Sequence, residues 1–168
     1  GALVEGKAVC EGYAEALQYL LHRAGIQSFI AIGDAGGPHA WNYVLIDGDY
    51  YHVDLTWNDQ KSVLYHAYFN VSDSMIAEDH TLTPTAYQLP TCDSTDAFYF
   101  NGKDTYLDSY TVSSVGKLMK NNAWSVHVYI PGNVDGFWSW FCDNCVAIAG
   151  EAGVSGGFSY GRSLLSRE

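Results

Sequence analysis

The sequence predicts an α+β fold, and three local patterns support this prediction. A segment with helical spacing of its apolar residues comes first, and two strand-like segments follow it. The dipeptide Asp47-Gly48 between those two segments is typical of the type I′ turn of an antiparallel hairpin. From Cys92 onward the pattern restarts with shorter helical and strand-like segments. We therefore expect a core over residues 1–90 and a smaller α/β part over residues 91–168.

The first helix is predicted over residues 10–24. Its apolar residues recur at the three- and four-residue spacing that places side chains on one helical face. The predicted buried face consists of Tyr13, Leu17, Leu20, Leu21 and Ala24. Gly25 follows at the position where a glycine commonly ends a helix in the left-handed conformation.

The hairpin is the clearest local signal in the chain. A strand over 26–32 and a loop over 33–38 are predicted to precede it. Its own strands are predicted over 39–46 and 49–57. Both are rich in the aromatic and β-branched residues that strands favour.

The register of this hairpin is predicted to place a histidine near an aspartate. With a two-residue turn Ile46 pairs with Asp49, so that Asp54 lies opposite Trp41. His39 is then a diagonal neighbour of Asp54 on the same face, with Cα atoms about 7–8 Å apart. A three-residue turn would shift the pairing by one and put the two side chains on opposite faces.

The later elements are predicted with weaker signals. They are a strand over 65–71, a short helix or turn over 72–80, a loop over 81–90, a hairpin over 98–107 about Asn101-Gly102, a helix over 112–121 capped by Thr111, a strand over 124–130, a helix over 134–149 and a strand over 158–165. These segments complete the expected α/β appendage, to which the sequence assigns no role.

The composition excludes some classes of function. The net charge is −11, from 19 acidic and 8 basic residues, and a chain this acidic repels the phosphates of nucleic acids. No apolar run is long enough to span a membrane, so we expect no membrane insertion. The chain does not open with the basic and apolar segments of a signal peptide, and none is expected in it.

The four cysteines differ in their sequence contexts. Cys142-Asp-Asn-Cys145 lies in a predicted buried helix, where the two thiols are core residues, a local disulfide or a metal or redox pair. Cys92 stands at the start of the second part of the chain. Cys10 stands at the start of the first helix, where exposed N–H groups and the helix dipole favour the reactive thiolate.

A nucleophilic thiol also needs a base and a group that orients the base. The hairpin offers both, in His39 and Asp54, because burying an unpaired carboxylate would be costly and His39 is its nearest partner. The sequence therefore predicts a catalytic set of Cys10, His39 and Asp54.

Three segments carry a resemblance to a known family. The segment 6–14, with the sequence GKAVCEGYA, resembles the nucleophile motif of the bacterial transglutaminase-like superfamily. The segment 39–42, HAWN, resembles its histidine motif, and the segment 50–57, YYHVDLTW, resembles its aspartate motif. Their order and spacing also match, and the resemblance covers about residues 1–80.

The resemblance implies a papain-like arrangement, in which the helix that bears the cysteine packs on an antiparallel sheet that bears His39 and Asp54. It further implies that Cys10 attacks a glutamine-type or peptide amide and forms a thioester, which water or an amine resolves. The implied partner is a peptide or protein substrate, including cell-wall material, at an extracellular or cell-surface location. No cofactor is implied.

One departure from the family concerns the oxyanion hole. In the family, a donor upstream of the nucleophile commonly completes it, and none of the nine residues before Cys10 is an evident donor. We therefore expect an N-terminally trimmed core. A second hypothesis keeps the fold without the catalysis, as a weakly active or inactive module that binds proteins or surfaces.

Other polar and aromatic residues near the motifs have competing interpretations. Trp41, Trp57 and Tyr13 are candidates for binding substrate or shielding the site, and core packing is an equal alternative for the two tryptophans. His52 is expected to share a face with Asp54, as a competing base or a metal ligand, but it lacks a third ligand and we expect no metal. Asn42 and Asn58 are expected to be hairpin and turn residues. The remaining histidines are expected to be structural or exposed: His22, His66, His80 and His127.

Overall fold

The computed structural model describes residues 2–60, 63–86, 88–121, 127–132 and 134–154. The chain divides into two compact units, and the division falls between Asn101 and Gly102. The segment 91–101, which the sequence assigned to the second part, therefore belongs with the first unit.

The first unit has an α+β fold built on a five-stranded antiparallel sheet. Its elements are α1 (Ala2–Glu5), α2 (Cys10–Arg23), β1 (Ser28–Asp34), β2 (Pro38–Ile46), β3 (Asp49–Val53), α3 (Leu55–Asn58), β4 (Asp59–Gln60), β5 (Val63–Leu64), β6 (Phe69–Val71), α4 (Asp73–Ile76) and β7 (Thr81–Leu82). The sheet has the strand order β6-β3-β2-β1-β7, and β4 and β5 form a separate pair. This architecture confirms the α+β prediction and places two central strands, β2 and β3, between outer ones.

The hairpin between β2 and β3 has the predicted turn and register. Asp47 and Gly48 have φ angles of 51° and 99°, both positive, as a type I′ turn requires. Ile46 pairs with Asp49, and the pairing continues to Asn42 opposite Val53. The parity on which the His39–Asp54 prediction depends is therefore confirmed.

The predicted length of the second hairpin strand is wrong, because β3 ends at Val53 and not at residue 57. Asp54 instead caps the short helix α3, and its Oδ1 accepts a hydrogen bond of 3.1 Å from the backbone N–H of Trp57. Aspartate is among the best N-capping residues, since its carboxylate accepts a hydrogen bond from an otherwise unpaired N–H. Trp57 consequently lies in a helix.

The predicted loop over 33–38 is also largely wrong. β1 continues to Asp34 and β2 begins at Pro38, so that only a short turn separates them, with Gly36 at a φ of 85°. Gly33 lies in strand β1. The position requires glycine because a Cβ atom there would collide with the carbonyl oxygen of Thr81 and lie 2.8 Å from Cη2 of Trp41. Because glycine has no side chain, strand β7 and the ring of Trp41 can both pack against this position.

Helix α2 is confirmed, but its predicted buried face is only partly correct. Ala14 is the buried residue of this fully described helix, and Leu20 is 51% exposed. Of the predicted face, Tyr13, Leu17 and Leu21 are partly buried, and Ala24 is exposed. The helix lies close to the sheet, because Nδ2 of Asn42 donates a hydrogen bond of 3.0 Å to the carbonyl oxygen of Ala14. A small side chain fits at that approach. Gly25 ends the helix region with a φ of 77°, as predicted.

Several weaker predictions in the middle of the chain need correction. The strand predicted over 65–71 is reduced to β6, and the loop predicted over 81–90 begins with β7. The hairpin predicted over 98–107 consists of turns, in which Phe98 and Phe100 are buried. Aromatic side chains produced the strand-like pattern there, but they pack in the core without a strand ladder.

The second unit is described from Gly102 to Val154 with gaps, and two helices dominate it. α5 (Val112–Asn121) and α6 (Val134–Glu151) confirm the two predicted helices. The capping of α5 is also confirmed, because Oγ1 of Thr111 accepts a hydrogen bond of 3.1 Å from the N–H of Ser114. The buried core of this unit consists of Leu107, Val115, Leu118, Phe137 and Ile148.

Two strand predictions of the second unit are not supported by the described residues. Of the segment 124–130, the part that is described contributes a single parallel bridge between Tyr129 and Tyr106. The strand predicted over 158–165 lies outside the described residues. The thiols of Cys142 and Cys145 on α6 are free and partly buried, so the structure holds no disulfide between them. None of the helices within the described ranges has the length and apolar character that a membrane crossing requires.

Candidate active site

His39 and Asp54 are in contact, as the hairpin register predicted. Nε2 of His39 lies 2.7 Å from Oδ2 of Asp54. β2 supplies the histidine, and Asp54 follows directly after β3. The side chain of His39 is 8% exposed, and that of Asp54 is fully buried. The sequence therefore brings these two residues together through a local hairpin and its turn.

Asp54 is held as a carboxylate by three donors. Oδ2 accepts hydrogen bonds from Nε2 of His39 and from Nε2 of His80, the latter at 3.0 Å. Oδ1 accepts a hydrogen bond from the backbone N–H of Trp57. Burial by itself favours the neutral acid, but the hydrogen bonds from His39 and His80 together outweigh it and lower the pKa of Asp54 below its ordinary value. Asp54 is therefore the negative centre of the site.

His80 was expected to be structural or exposed, and the structure contradicts the second alternative. It is buried, and its second ring nitrogen, Nδ1, lies 2.6 Å from Oδ1 of Asp79. A carboxylate only accepts hydrogen bonds, so both nitrogens of His80 must donate and the ring is an imidazolium. Burial lowers the pKa of His80, but the hydrogen bonds to Asp54 and Asp79 raise it further, and the net shift is upward.

Two tryptophans enclose the histidine–aspartate cluster. The ring centroid of Trp41 lies 6.0 Å from that of His39 and 5.0 Å from that of His80. The ring of Trp57 lies 4.7 Å from His80 and 6.2 Å from His39. Both tryptophans are therefore placed to exclude water from the cluster, which strengthens the charge interactions inside it.

His52 lies on the same face of the sheet as Trp41, Tyr43 and the His39–Asp54 pair, as expected, but it does not bind Asp54. Its Nδ1 accepts a hydrogen bond of 2.9 Å from Nε1 of Trp41, and its Nε2 lies 2.7 Å from Oδ1 of Asp73. An indole N–H only donates, so Nδ1 carries no proton and His52 is neutral. Burial, the largest cause, lowers the pKa of His52. The expected role as a competing base fails because Trp41 and Asp73 occupy both ring nitrogens of His52.

Cys10 is the first residue of α2 and is partly exposed. No hydrogen bond joins its thiol to His39 or to any other described residue. Asn42 holds α2 on one face of β2, and strand alternation puts His39 on the other face. Because α2 and the His39 imidazole lie on opposite faces of β2, the thiol of Cys10 can reach the imidazole only past the end of that strand.

Tyr13 is attached elsewhere in the first unit. Its hydroxyl donates a hydrogen bond of 2.5 Å to Oδ2 of Asp59 in β4. This hydrogen bond, with burial as a smaller cause, raises the pKa of Tyr13. The contact connects α2 to the segment that follows α3 and does not involve the His39–Asp54 pair.

Asn42 and Asn58, expected to be hairpin and turn residues, are both buried and hold backbone in place. Asn42 binds the carbonyl oxygen of Ala14, as described above. Oδ1 of Asn58 accepts a hydrogen bond of 3.0 Å from the N–H of Tyr68. Asn42 thus attaches α2 to β2, and Asn58 attaches the chain before β6 to α3.

Two groups of potential metal ligands occur among the described residues. They are His39, Asp54 and His80, and His52, Asp73 and Cys92, with donor atoms within 4.8 Å of one another in each group. In the first group, the Nε2 atoms of His39 and His80 carry protons and donate hydrogen bonds to Asp54. In the second, Trp41 leaves the proton on Nε2 of His52, and burial raises the pKa of the Cys92 thiol and disfavours the thiolate that a metal needs. Hydrogen bonding thus accounts for both groups, and we assign neither to a metal.

Neither a model of a known protein family nor a curated protein matches this chain. The arrangement itself defines a buried carboxylate shared by two histidines, within an α+β unit, and a cysteine at the start of a neighbouring helix. The signal that pointed to His39 and Asp54 was local. His80 lies 26 residues from Asp54, too far along the chain for a pattern of neighbouring residues to connect the two.

Proposed function

We propose that the chain is a transglutaminase-like cysteine acyl-transfer domain with a papain-like core. Cys10 is the nucleophile, His39 the general base and Asp54 the carboxylate that orients the base. The observation that supports this proposal most directly is the 2.7 Å contact between His39 and Asp54. A buried histidine paired with an ionised carboxylate is the arrangement that keeps an imidazole in one tautomer.

The tautomer of His39 suits a general base. Asp54 accepts the hydrogen bond at Nε2, so the proton of neutral His39 resides on that nitrogen and Nδ1 keeps its lone pair. Nδ1 has no hydrogen-bond partner among the residues that the structure describes. It is therefore available to take the proton of a thiol.

Cys10 has the position of a cysteine that is activated by a helix. The N–H groups of the first turn of α2 point out of the helix end, and the helix dipole favours a negative charge there. The same N–H groups can bind the oxyanion of a tetrahedral intermediate. Removal of one such donor costs about 2.7–4 kcal/mol of barrier in known enzymes, so this helix end is the first place to test for oxyanion binding.

The proposed reaction has two steps. In the first, the thiolate of Cys10 attacks the amide carbonyl, the C–N bond breaks, and the His39 imidazolium gives its proton to the leaving amine. This step leaves a thioester on Cys10. In the second, His39 takes a proton from water or an amine, which attacks the thioester and releases a carboxylic acid or a new amide together with the thiol.

The proposed substrates are amide groups of peptides or proteins, including cell-wall material, at an extracellular or cell-surface location. The net charge of −11 favours neutral or cationic substrates over acidic ones. The second step uses either water or an amine as the acceptor of the acyl group. Analysis of the products with and without an added primary amine distinguishes the two, because water gives a carboxylic acid and an amine gives a new amide.

A non-catalytic binding module is the second candidate, and one observation favours it. The thiol of Cys10 makes no hydrogen bond with His39 in the described part of the chain, so the nucleophile and base are not an assembled pair. An inactive relative that keeps the fold would show the same His39–Asp54 contact. The two candidates differ in the reactivity of one thiol.

The deciding experiment is the pH dependence of alkylation by iodoacetamide, with the labelled peptides identified by mass spectrometry. We expect Cys10 to react well below the ordinary thiol pKa, and we expect His39→Ala to abolish this early reaction. Cys142 and Cys145, which are also free and partly exposed, serve as internal comparisons. Reaction of Cys10 no faster than the thiols of the denatured chain would favour the binding module.

A further inference from the structure

His80 binds the same carboxylate oxygen of Asp54 as His39, the proposed base. Oδ2 of Asp54 lies 2.7 Å from Nε2 of His39 and 3.0 Å from Nε2 of His80. The side chains of Asp54 and His80 are fully buried, so solvent does not screen them. The proposed catalytic set of Cys10, His39 and Asp54 makes no use of this second histidine.

The charge of His80 follows from its partners. Nδ1 lies 2.6 Å from Asp79, whose other carboxylate oxygen accepts a hydrogen bond of 2.5 Å from the hydroxyl of Tyr68. Tyr68 thus fixes Asp79, and Asp79 fixes the second proton of His80. The result is a continuous chain of hydrogen bonds from Tyr68 through Asp79, His80 and Asp54 to His39.

We propose that His80 is a positioning residue of the acyl-transfer site, which as an imidazolium sets the basicity of His39 through their shared carboxylate, Asp54. This inference rests on the proposed function for its catalytic meaning. The electrostatic link itself is independent of any reaction. It makes Asp79 the residue that keeps His80 charged.

The sign of the effect follows from the charges around the two rings. The cluster holds two carboxylates, Asp54 and Asp79, and the imidazolium of His80 beside His39. The positive charge of His80 lies close to His39, with ring centroids 5.5 Å apart, and it opposes a second positive charge on His39. It therefore disfavours protonation of His39 relative to a site with Asp54 alone.

The other ionisable groups around His80 do not change this sign. His52 is neutral, because Trp41 donates to its Nδ1, and burial raises the pKa of the Tyr68 hydroxyl, which keeps it protonated. The remaining rings packed on His80, those of Trp41 and Trp57, carry no charge. His80 is therefore the group whose positive charge the hydrogen bonds fix in the described cluster.

The repulsion between the two imidazolium charges has a chemical consequence. A base whose conjugate acid gives up its proton readily can take the thiol proton and then protonate a leaving amine. Without the charge of His80, Asp54 would stabilise the imidazolium of His39 more strongly. The proton would then leave His39 less readily in the step that expels the amine.

The test is nitrogen NMR of the histidine rings in the full chain, combined with the alkylation profile of Cys10. His80→Gln retains a side-chain N–H that can reach Asp54 but removes the charge, and His80→Ala removes both. We expect both nitrogens of His80 to carry protons at pH 7 in the wild type. We expect the titration midpoint of His39 to rise by about one pH unit or more in His80→Gln.

Two further variants make the test selective. His22→Gln is the matched control, because His22 binds the carbonyl oxygen of Ser28 and has no carboxylate partner among the described residues; it should leave the midpoint of His39 unchanged. Asp79→Asn removes the negative charge that holds the second proton on His80. It should shift the midpoint in the same direction as His80→Gln, and it provides the measurement if His80→Gln does not fold.

The outcomes separate this proposal from the proposed function. A neutral His80 at pH 7, or an unchanged His39 midpoint in both His80→Gln and Asp79→Asn, overturns the role of His80 even if Cys10 is reactive. A shifted midpoint with an unreactive Cys10 overturns the acyl-transfer function and supports the electrostatic link. A shifted midpoint together with a shifted pH profile of Cys10 alkylation supports both.

Discussion

The two histidines that share Asp54 differ in what faces their other ring nitrogen. His80 meets a second carboxylate there, so both of its nitrogens donate and the ring is charged. Nδ1 of His39 has no partner in the described part of the chain, so His39 can gain or lose a proton. The same residue type therefore supplies a fixed charge at one position and a candidate base at the other.

The first prediction concerns the orienting carboxylate. Asp54→Ala should slow acylation or alkylation of Cys10 by a factor of about 10² or more, because His39 loses the acceptor that fixes its tautomer. Asp73→Ala is the matched control, since Asp73 binds His52 and the N–H of Cys92 and should reduce stability more than rate. Rates per folded molecule, measured with thermal unfolding in parallel, decide the matter. Equal small effects on the rate would contradict the assignment of Asp54.

A second prediction concerns stability and pH at the same residues. The folded pKa of His80 is raised from 6.5, so the stability it contributes is fully present below that value and is lost as the pH rises through the raised pKa. The folded pKa of Asp54 is lowered from 3.8, so its contribution is present above that value and is lost as the pH falls through the lowered pKa.

The measurement for this prediction is urea unfolding of the wild type and of His80→Gln across pH. The difference in unfolding free energy between them should be largest at about pH 5–6 and should decrease at alkaline pH. The same series with His22→Gln should show a small difference without this trend. A difference that grows at alkaline pH would mean that His80 is not held as a cation.

At the scale of elements, the site depends on three pieces of chain that meet at Trp41. β2 carries Trp41, β3 carries His52, and Asp73 begins α4. The indole donates to His52, and His52 donates to Asp73, so one hydrogen-bonded series joins all three. This series of hydrogen bonds fixes the position of Trp41 beside His39 and His80, and it contains none of the proposed catalytic residues.

Removal of the indole N–H tests this support. Trp41→Phe should lower the free energy of unfolding by about 1–3 kcal/mol from the hydrogen bond alone, because it leaves the buried Nδ1 of His52 without a donor. Chemical denaturation measures the loss. The same change in a His52→Leu background should cost less, and equal costs in both backgrounds would contradict the assigned tautomer of His52.

Strand pairing at the edge of the sheet gives a further prediction. Gly33→Ala should be destabilising by about 1–3 kcal/mol or more, because the new methyl group meets the backbone of Thr81 and the ring of Trp41. Gly37→Ala is the matched control, since a Cβ atom there has no neighbour within 4 Å among the described residues. Unfolding curves of the two variants should differ clearly. Similar stabilities would show that β7 moves away without cost.

At the scale of the whole molecule, every residue of the candidate site belongs to the first unit. That unit ends at Asn101, and the segment after residue 90 is bound within it: the N–H of Cys92 donates to Asp73, and Nδ2 of Asn70 donates to the carbonyl oxygen of Ala97. We therefore predict that a fragment of residues 1–101 unfolds cooperatively and keeps the alkylation profile of Cys10. A fragment of residues 1–90 is the comparison and should be markedly less stable. Loss of cooperative folding in the longer fragment would contradict the division.

The features that the sequence predicted correctly are those encoded by neighbouring residues. The Asp47-Gly48 turn requires positive φ angles that this dipeptide adopts readily, and the turn sets the pairing of β2 with β3. The pairing in turn brings His39 to Asp54. The α5 cap by Thr111 was likewise readable, because both partners lie within one helical turn.

The sequence by itself determined the hairpin, its register and the two residues of the site that this register joins, because short-range turn chemistry and alternation leave few choices. Tertiary structure alone decided the second histidine on Asp54, the tautomer of His52, the small residue that α2 buries and the end of β3. Each of these depends on which distant chain segment supplies a donor, an acceptor or space at a given point. Patterns of neighbouring residues carry no such information.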